Sequence, residues 1–399
     1  MLVLARDGAS LVLHRFSRVF RPPPRPLYGT SVIPNFPGMV VPEAIILRSQ
    51  MRSLPAESES DRGLPAIYAK TTTGATGQRV RSPIGTKGVT MKPGDIAAIV
   101  KWKWRGLAEI RKVFRNWPQV TLFRLGFTNH VFAEWRSGGS TVVESQEEWA
   151  RLKLRYLWCV ELLKAYGHRA SVMNGEIQFT FHNQLLRFKI DPMLEAYSVL
   201  LEQFVYEDYK WLRVEGKQVL DVGASIGDSA VYFAVRGAAQ VYALEPYPYA
   251  YRFAETNIKL NALERQITLL NVGCGKEGTI TVNPELKNDP SSELVACETG
   301  EKVRILSLKR LVESFGLNDA VAKIDCEGCE YEVILGAADR ELRTFSQMII
   351  EYHREFSRLM DRMESAGFRV VRTAHFHLKD SSTGGSREVG FIKAERLPK

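Results

Sequence analysis

From about Asp95 onward the apolar positions of this chain fall into regular periods; before Met91 they do not. Ile96, Ile99, Val100, Trp104, Leu107, Ile110 and Phe114 recur near the 3.6-residue period among lysines and arginines. That spacing predicts an amphipathic helix from Asp95 to about Trp117, lying over a core. Phe127–Glu134 reads as a strand closed by Ser137-Gly138-Gly139. Ser145-x-x-Glu148 is a capping-box start for a helix running to Tyr166. Ile177–Phe181 and Leu185–Ile190 read as two strands around a hairpin-like turn, and Tyr197–Leu212 as a helix.

After that point short apolar runs alternate with helical patterns. The strands expected are Val219–Val222, Ala239–Leu244, Ile267–Asn271, Val321–Ile324, Met348–Ile350, Arg369–Thr373 and Gly390–Ala394, with Thr279–Val282 and Val303–Ser307 as additions. The helices between them begin near Ser229, Tyr249, Leu308, Tyr331 and Phe356. Elements of this length in this order predict an α/β, doubly wound, Rossmann-like seven-stranded sheet with helices on both faces. Ligands bind such sheets outside the carboxyl ends of the strands. Asp221, Glu245, Asp325 and Glu351 all stand at such ends and should cluster.

Composition sharpens the domain picture. Of the 399 residues, the first 90 carry 12 Lys+Arg against 5 Asp+Glu, and the remaining 309 carry 42 against 40, so the net charge of +9 is local. Arg21-Pro22-Pro23-Pro24-Arg25-Pro26 and the polar, turn-rich runs 56–61 and 71–77 predict a poorly ordered basic extension over residues 1–90, nonessential to the fold. The nearly neutral remainder argues against nucleic acid as a partner. No run approaches 18 apolar residues, so no membrane span is expected. Arg6 and Asp7 interrupt the first apolar run, so no secretory signal is expected, and five cysteines, an odd number in a long chain, fit reduced thiols in a cytoplasmic protein.

Candidate chemistry centres on Asp221-Val222-Gly223-Ala224-Ser225-Ile226-Gly227-Asp228. A glycine pair in a strand-to-helix turn lets the backbone close on a ligand. The spacing Asp-x-Gly-x-x-x-Gly is not the G-x-G-x-x-G of dinucleotide sites. Turn N–H groups can meet a carboxylate while Asp221 holds an ammonium, and S-adenosyl-L-methionine carries both. Glu245, at the end of the next strand, is placed for ribose hydroxyls. Pro246 and Tyr247 are placed against the adenine, with Val272 and Gly273 at its edge.

These blocks, with Asn257-Ile258-Lys259-Leu260-Asn261, Lys323-Ile324-Asp325-Cys326-Glu327-Gly328-Cys329-Glu330 and Ile350-Glu351-Tyr352-His353, resemble the FkbM family of S-adenosylmethionine-dependent methyltransferases from about Tyr206 to Ala394. Cysteines replace the family's usual small or aliphatic residues at 326 and 329, and Ser225 stands where Asn is common. The resemblance implies a class I methyltransferase domain over 216–399 after an accessory α+β region over 91–215. It also implies O-methylation of a hydroxyl on a sugar, glycan or related small molecule. An alcohol must lose its proton, so a base is expected. Asp325, Glu327, Glu351 and His353 are the candidates, with His353 or Asp325 as base and Glu327 and Glu351 positioning the acceptor. Asp325 and Glu330 have simpler readings as helix-capping carboxylates. The acidic residues are also suited to Mg²⁺, but no spacing requires a metal and none is expected. Cys326 and Cys329 are read as two variable positions that happen to be cysteine. Two competing classes remain: a nicotinamide-dependent oxidoreductase, which the missing third glycine disfavours, and a cofactor-binding module without turnover.

Overall fold

The computed structural model describes residues 105–153, 156–190, 197–284, 294, 296–373, 376–379 and 386–398. The expectations for residues 1–90, and for the start of the first helix at Asp95, lie outside the described residues.

Residues 105–113 are helical, as their period requires, and are followed by a helix at Trp117–Arg124 that the pattern does not reveal. Strands β1 (Val131–Glu134) and β2 (Ser140–Val143) form a hairpin over Gly138 and Gly139. The Ser145 cap is present, its hydroxyl accepting from the Glu148 amide at 3.0 Å, while the Glu148 carboxylate reaches back to the Glu144 amide at 2.7 Å. Residues Gln146–Lys153 and Tyr156–Ala165 are helical within the span where one helix to Tyr166 is expected, and residues 154–155 lie outside the described residues. Strands β3 (Ala170–Met173), β4 (Glu176–Phe181) and β5 (Gln184–Lys189) form an antiparallel sheet in the order β3-β4-β5. His182 and Asn183 turn the β4–β5 hairpin, both at positive φ. The helix Tyr197–Phe204 is shorter than expected and gives way to turns.

The main sheet holds β6 (Gln218–Val222), β7 (Gln240–Leu244), β8 (Ile267–Leu270), β12 (Ala320–Ile324), β13 (Phe345–Tyr352), β14 (Phe368–Arg372) and β16 (Ser386–Arg396). β15 (Phe376–Lys379) adds to β16. Their order is β14-β16-β13-β12-β6-β7-β8, with β16 antiparallel to both neighbours. The chain therefore reverses direction across the sheet between β6 and β12, the place where a doubly wound sheet opens a ligand crevice. All seven expected strands are present. β9 (Val272–Cys274), β10 (Gly278–Val282) and β11 (Glu301–Leu306) form a separate small sheet.

Strand alternation divides the interior in two. Val219, Val241, Ala243, Val321 and Ile349 face one core; Leu220, Val222, Leu244, Ala322, Ile324 and Ile350 face the other. The first core also contains Phe114, Trp135, Trp149 and Trp158, whose rings sit 4.6–6.5 Å apart. The residues before 216 thus complete one face of the sheet.

Two asparagines on the helix Pro248–Leu260 and just past its end fix this arrangement. Asn257, fully buried, accepts from the Lys189 amide at 2.7 Å and donates to the carbonyls of Lys189 (3.1 Å) and Ile226 (2.9 Å). Asn261 treats Arg187 the same way, at 2.9 and 2.8 Å. Asn257→Ala leaves three backbone groups without these partners, and we expect it to lower unfolding stability by about 2–3 kcal/mol. Asn261→Ala, at a half-buried position, should cost less. Urea unfolding of the two variants checks the order.

Candidate active site

Register puts the predicted residues on one edge. Ile324 pairs with Val222 on one side and Ile350 on the other, so Gly223 and Asp325 leave their strands level with Glu351, which β13 still pairs with Phe391 of β16. The Asp325 amide bonds the Val222 carbonyl at 3.1 Å. Gly223, at φ +83°, lies so close that a Cβ there would stand 1.8 Å from the Asp325 carbonyl oxygen. Only glycine fits this crossing.

On the cofactor side, Glu245 is 5% exposed, and its two oxygens accept from the backbone amides of Ser225 (2.8 Å) and Tyr247 (2.9 Å). Burial lifts its carboxyl to about 7 against the pull of those two amides. Ser225 holds φ +48° to make its bond. Glu245 therefore ties the glycine turn to the second strand, and each oxygen keeps a lone pair for a ribose hydroxyl.

Asp221 precedes the glycine turn. It is fully buried, with one oxygen accepting from the Ser229 hydroxyl at 2.7 Å and the other 3.3 Å from the Lys323 ammonium. That second oxygen, Oδ1, has no hydrogen-bond partner among the described residues. Asp228, 4% exposed, keeps Oδ1 without a hydrogen-bond partner among the described residues. Burial raises its carboxyl to about 7, with the Lys323 ammonium opposing. The orphaned buried oxygens of Asp221 and Asp228 beside the glycine turn both fit the ammonium of the methionine end. Tyr247 is buried at the start of its helix. Val272 faces the core, and a Cβ on Gly273 would meet Ile305 at 2.6 Å and Pro246 at 3.7 Å. Of this pair, Gly273 is the one beside Pro246. Ala224 is fully buried, and Gly227 starts the helix Asp228–Val235 at φ +83°.

The acceptor side is a network of charges. His353, 2% exposed, has Nε2 3.2 Å from Glu327 and 4.0 Å from Asp325. Its Nδ1 and backbone amide both meet Glu330 Oε1, at 3.1 and 3.2 Å. Burial alone would lower the imidazole's pKa, but the carboxylates of Glu327 and Glu330 override it and raise it to about 11. His353 is therefore an imidazolium near neutrality, which removes it as the base. Asp325, Glu327 and His353 bring ligand-type atoms within 4.8 Å of one another.

Asp325 accepts from the Tyr209 hydroxyl at 2.7 Å, lies 3.7 Å from the Lys323 ammonium, and has 23% of its side chain open. Burial works against its charge, but Lys323, His353 and Tyr209 hold its pKa below the usual value. Glu351 beside it is pushed well above the carboxylate range by burial and then by Asp325. The pair is thus pulled in opposite directions, Asp325 toward its ionised form and Glu351 toward its protonated form.

Several participants carry no recognisable signal in the sequence. Lys323, 2% exposed, also bonds the carbonyls of Val222 and Gly223. A lysine inside an apolar strand was its only mark. Glu330 is fully buried and orients His353, so it is not a surface cap. Tyr209 and Glu202 come from the region before the sheet; Glu202 is raised to about 8 by burial and by Asp208, Asp228 and Asp325. Cys326 and Cys329 form a disulfide, a correction to the expectation of reduced thiols. Positive φ at Glu327 (+54°) and Gly328 (+119°) folds the loop until the two Cα atoms are 5.5 Å apart.

Glu245→Ala removes both amide ties and the ribose acceptor. We expect affinity for S-adenosylhomocysteine to fall ~10- to 150-fold, with a lower melting temperature because the turn loosens. Calorimetric titration and thermal unfolding measure the two effects. The His353 imidazole binds its proton more tightly folded than unfolded. Its stabilising contribution is complete below about pH 6.5 and is lost as pH rises toward 11. His353→Gln should flatten unfolding stability against pH in that window, as read by urea melts.

Residues 221–370 match the methyltransferase FkbM domain. A ribosomal protein L11 methyltransferase of Carboxydothermus hydrogenoformans is 44% identical over 55 residues, which is 14% of this chain and only 18% of that protein. Among solved structures, precorrin-6y C5,15-methyltransferase of Geobacter metallireducens aligns over 50% of this chain and 87% of its own, at 16% identity and TM-score 0.30. TYW2 of M. jannaschii in complex with AdoMet aligns over 57% and 89%, at 17% identity and TM-score 0.31. With its glycine turn, its Glu245 and the family match over residues 221–370, this chain carries an FkbM-family methyltransferase domain, and the cofactor of that domain is S-adenosyl-L-methionine.

Proposed function

We propose that the protein methylates a hydroxyl of a sugar, glycan or related small molecule, with Asp325 as the base. The observation that carries this reading is the state of Asp325. It is ionised, partly open, and directly beside the glycine turn. The cofactor supplies an electrophilic methyl group. The protein's own task is to orient an acceptor oxygen toward it and to take the proton. Lys323 and Tyr209 fix the Asp325 carboxylate from behind, leaving its accessible edge for the acceptor hydroxyl. His353, clamped by Glu327 and Glu330, is a positioning residue that sets the field and the loop. Protonated Glu351 offers a hydrogen-bond donor to a second acceptor oxygen, which suits a polyhydroxylated molecule.

The positive excess of the sequence lies before residue 91, which supports a small-molecule or glycan acceptor over RNA. No described helix is long and apolar enough to cross a membrane. We place the enzyme in the cytoplasm as part of this proposal.

Asp325→Asn keeps the shape and removes the base. Turnover on an acceptor found by methyl-transfer screening should fall by about 10²–10⁴-fold, with affinity for S-adenosylhomocysteine near that of the native protein. Full activity in this variant would discard the assignment. Tyr209→Phe removes a hydrogen bond that favours the anion, so the Asp325 pKa rises. The acid limb of the rate profile should then move to higher pH.

A further inference from the structure

Glu327, which reaches His353, sits inside the ring closed by the Cys326–Cys329 disulfide. We infer that these two cysteines are a reversible dithiol–disulfide site that assembles the acceptor side of the cleft when oxidised and loosens it when reduced.

Three observations converge on this pair. The first is access. Cys326 and Cys329 are both partly exposed, whereas Cys159 and Cys274 are buried with thiols pushed up by burial, Cys274 to about 12. A thiol or disulfide reagent in solution meets the bonded pair and not the buried thiols. The second is connection. Between the sulfurs, Glu327 holds φ +54° and reaches His353 Nε2 at 3.2 Å, and the Gly328 amide donates to Glu330 Oε2 at 2.8 Å. Cys326 Sγ itself lies 3.8 Å from that same oxygen. The other oxygen of Glu330 holds His353. Every contact that orients the imidazolium therefore starts within, or one residue beyond, the four-residue ring. The third is strain. A non-glycine residue at positive φ persists only where its surroundings hold it. The cross-link is the covalent part of those surroundings, and opening it lets Glu327 relax away from His353.

The chemistry balances with a small-molecule disulfide as oxidant. The two thiols of Cys326 and Cys329 give two electrons and two protons to glutathione disulfide, through a mixed disulfide at one cysteine. Two glutathione thiols leave and the S–S bond forms; excess glutathione thiol drives the reverse. Of the cofactor side, Glu245, Ser225 and Asp228 lie on other elements, and Gly223 meets only the backbone of Asp325 and Cys326 at the start of the loop. Cofactor affinity should be the same in both forms.

The experiment equilibrates the full chain in glutathione buffers of graded thiol-to-disulfide ratio, traps free thiols by alkylation and reads each cysteine by mass spectrometry. Amide exchange of the 325–330 loop is measured on the same samples. We expect Cys326 and Cys329 to convert together within the glutathione range, while Cys159 and Cys274 stay thiols throughout. The dithiol form should exchange roughly tenfold faster in the loop, the equivalent of one hydrogen bond to a carboxylate. Heat of S-adenosylhomocysteine binding should not change, and loop exchange in the Cys326→Ser/Cys329→Ser double variant should ignore the buffer ratio. A disulfide that reduces only when the protein unfolds would make the bond a static staple and overturn the switch. So would thiols at every ratio, or equal loop exchange in the two forms. The consequence for turnover rests on the acceptor-site reading above; thiol trapping and exchange do not, so failure of that reading leaves this test intact.

Discussion

The buried ammonium of Lys323 is the charge on which the site depends. It stands among Asp221, Asp325 and Asp228, and bonds two carbonyls at the start of the glycine turn. Burial alone would strip it of its proton, but the three carboxylates hold that proton firmly. Without it, anions on neighbouring strands would repel one another in a low-dielectric layer, and one or more would take up a proton. With it, Asp221 can stay inside to shape the turn and Asp325 can stay ionised at the cleft. A single cation thus couples the cofactor half of the site to the acceptor half.

A second layer of control comes from outside the sheet. Tyr209 packs edge-on against Phe391 and bonds Asp325, so the segment entering the sheet also sets the carboxylate's orientation. Glu202 adds another acid from the helix before it. The face of the sheet carrying Val219 and Val241 shares its core with the tryptophan cluster of residues 135–158. Changes in that cluster are therefore felt at the strands that end in the site.

The strands and their order of appearance were legible because apolar runs of four or five residues, broken by helical periods, admit few folds. Glu245, Asp325 and His353 were legible because their place at strand ends is a matter of counting. What stayed hidden was long-range. Nothing local says that Glu330 points inward to His353, or that Tyr209 reaches across 116 positions to Asp325. Two partners, not one residue's chemistry, decide each case. The helix Trp117–Arg124 was missed because it is short and amphipathic only weakly. The Cys326–Cys329 bond was missed because spacing alone does not reveal the paired positive-φ residues that bring the sulfurs together.

The two asparagines that grip β5 do more than join parts. One helical turn advances about 6 Å over four residues, and two residues of strand advance about 6.6 Å. Asn257 and Asn261 thus match Lys189 and Arg187 in pitch, and their amide groups supply what a neighbouring strand would supply. β5 lies at the margin of its sheet, where unpaired backbone invites pairing with another chain. Here a helix imitates the missing strand and occupies those groups. The same contact that seats the small sheet on the cofactor turn therefore also guards the protein against edge-to-edge association.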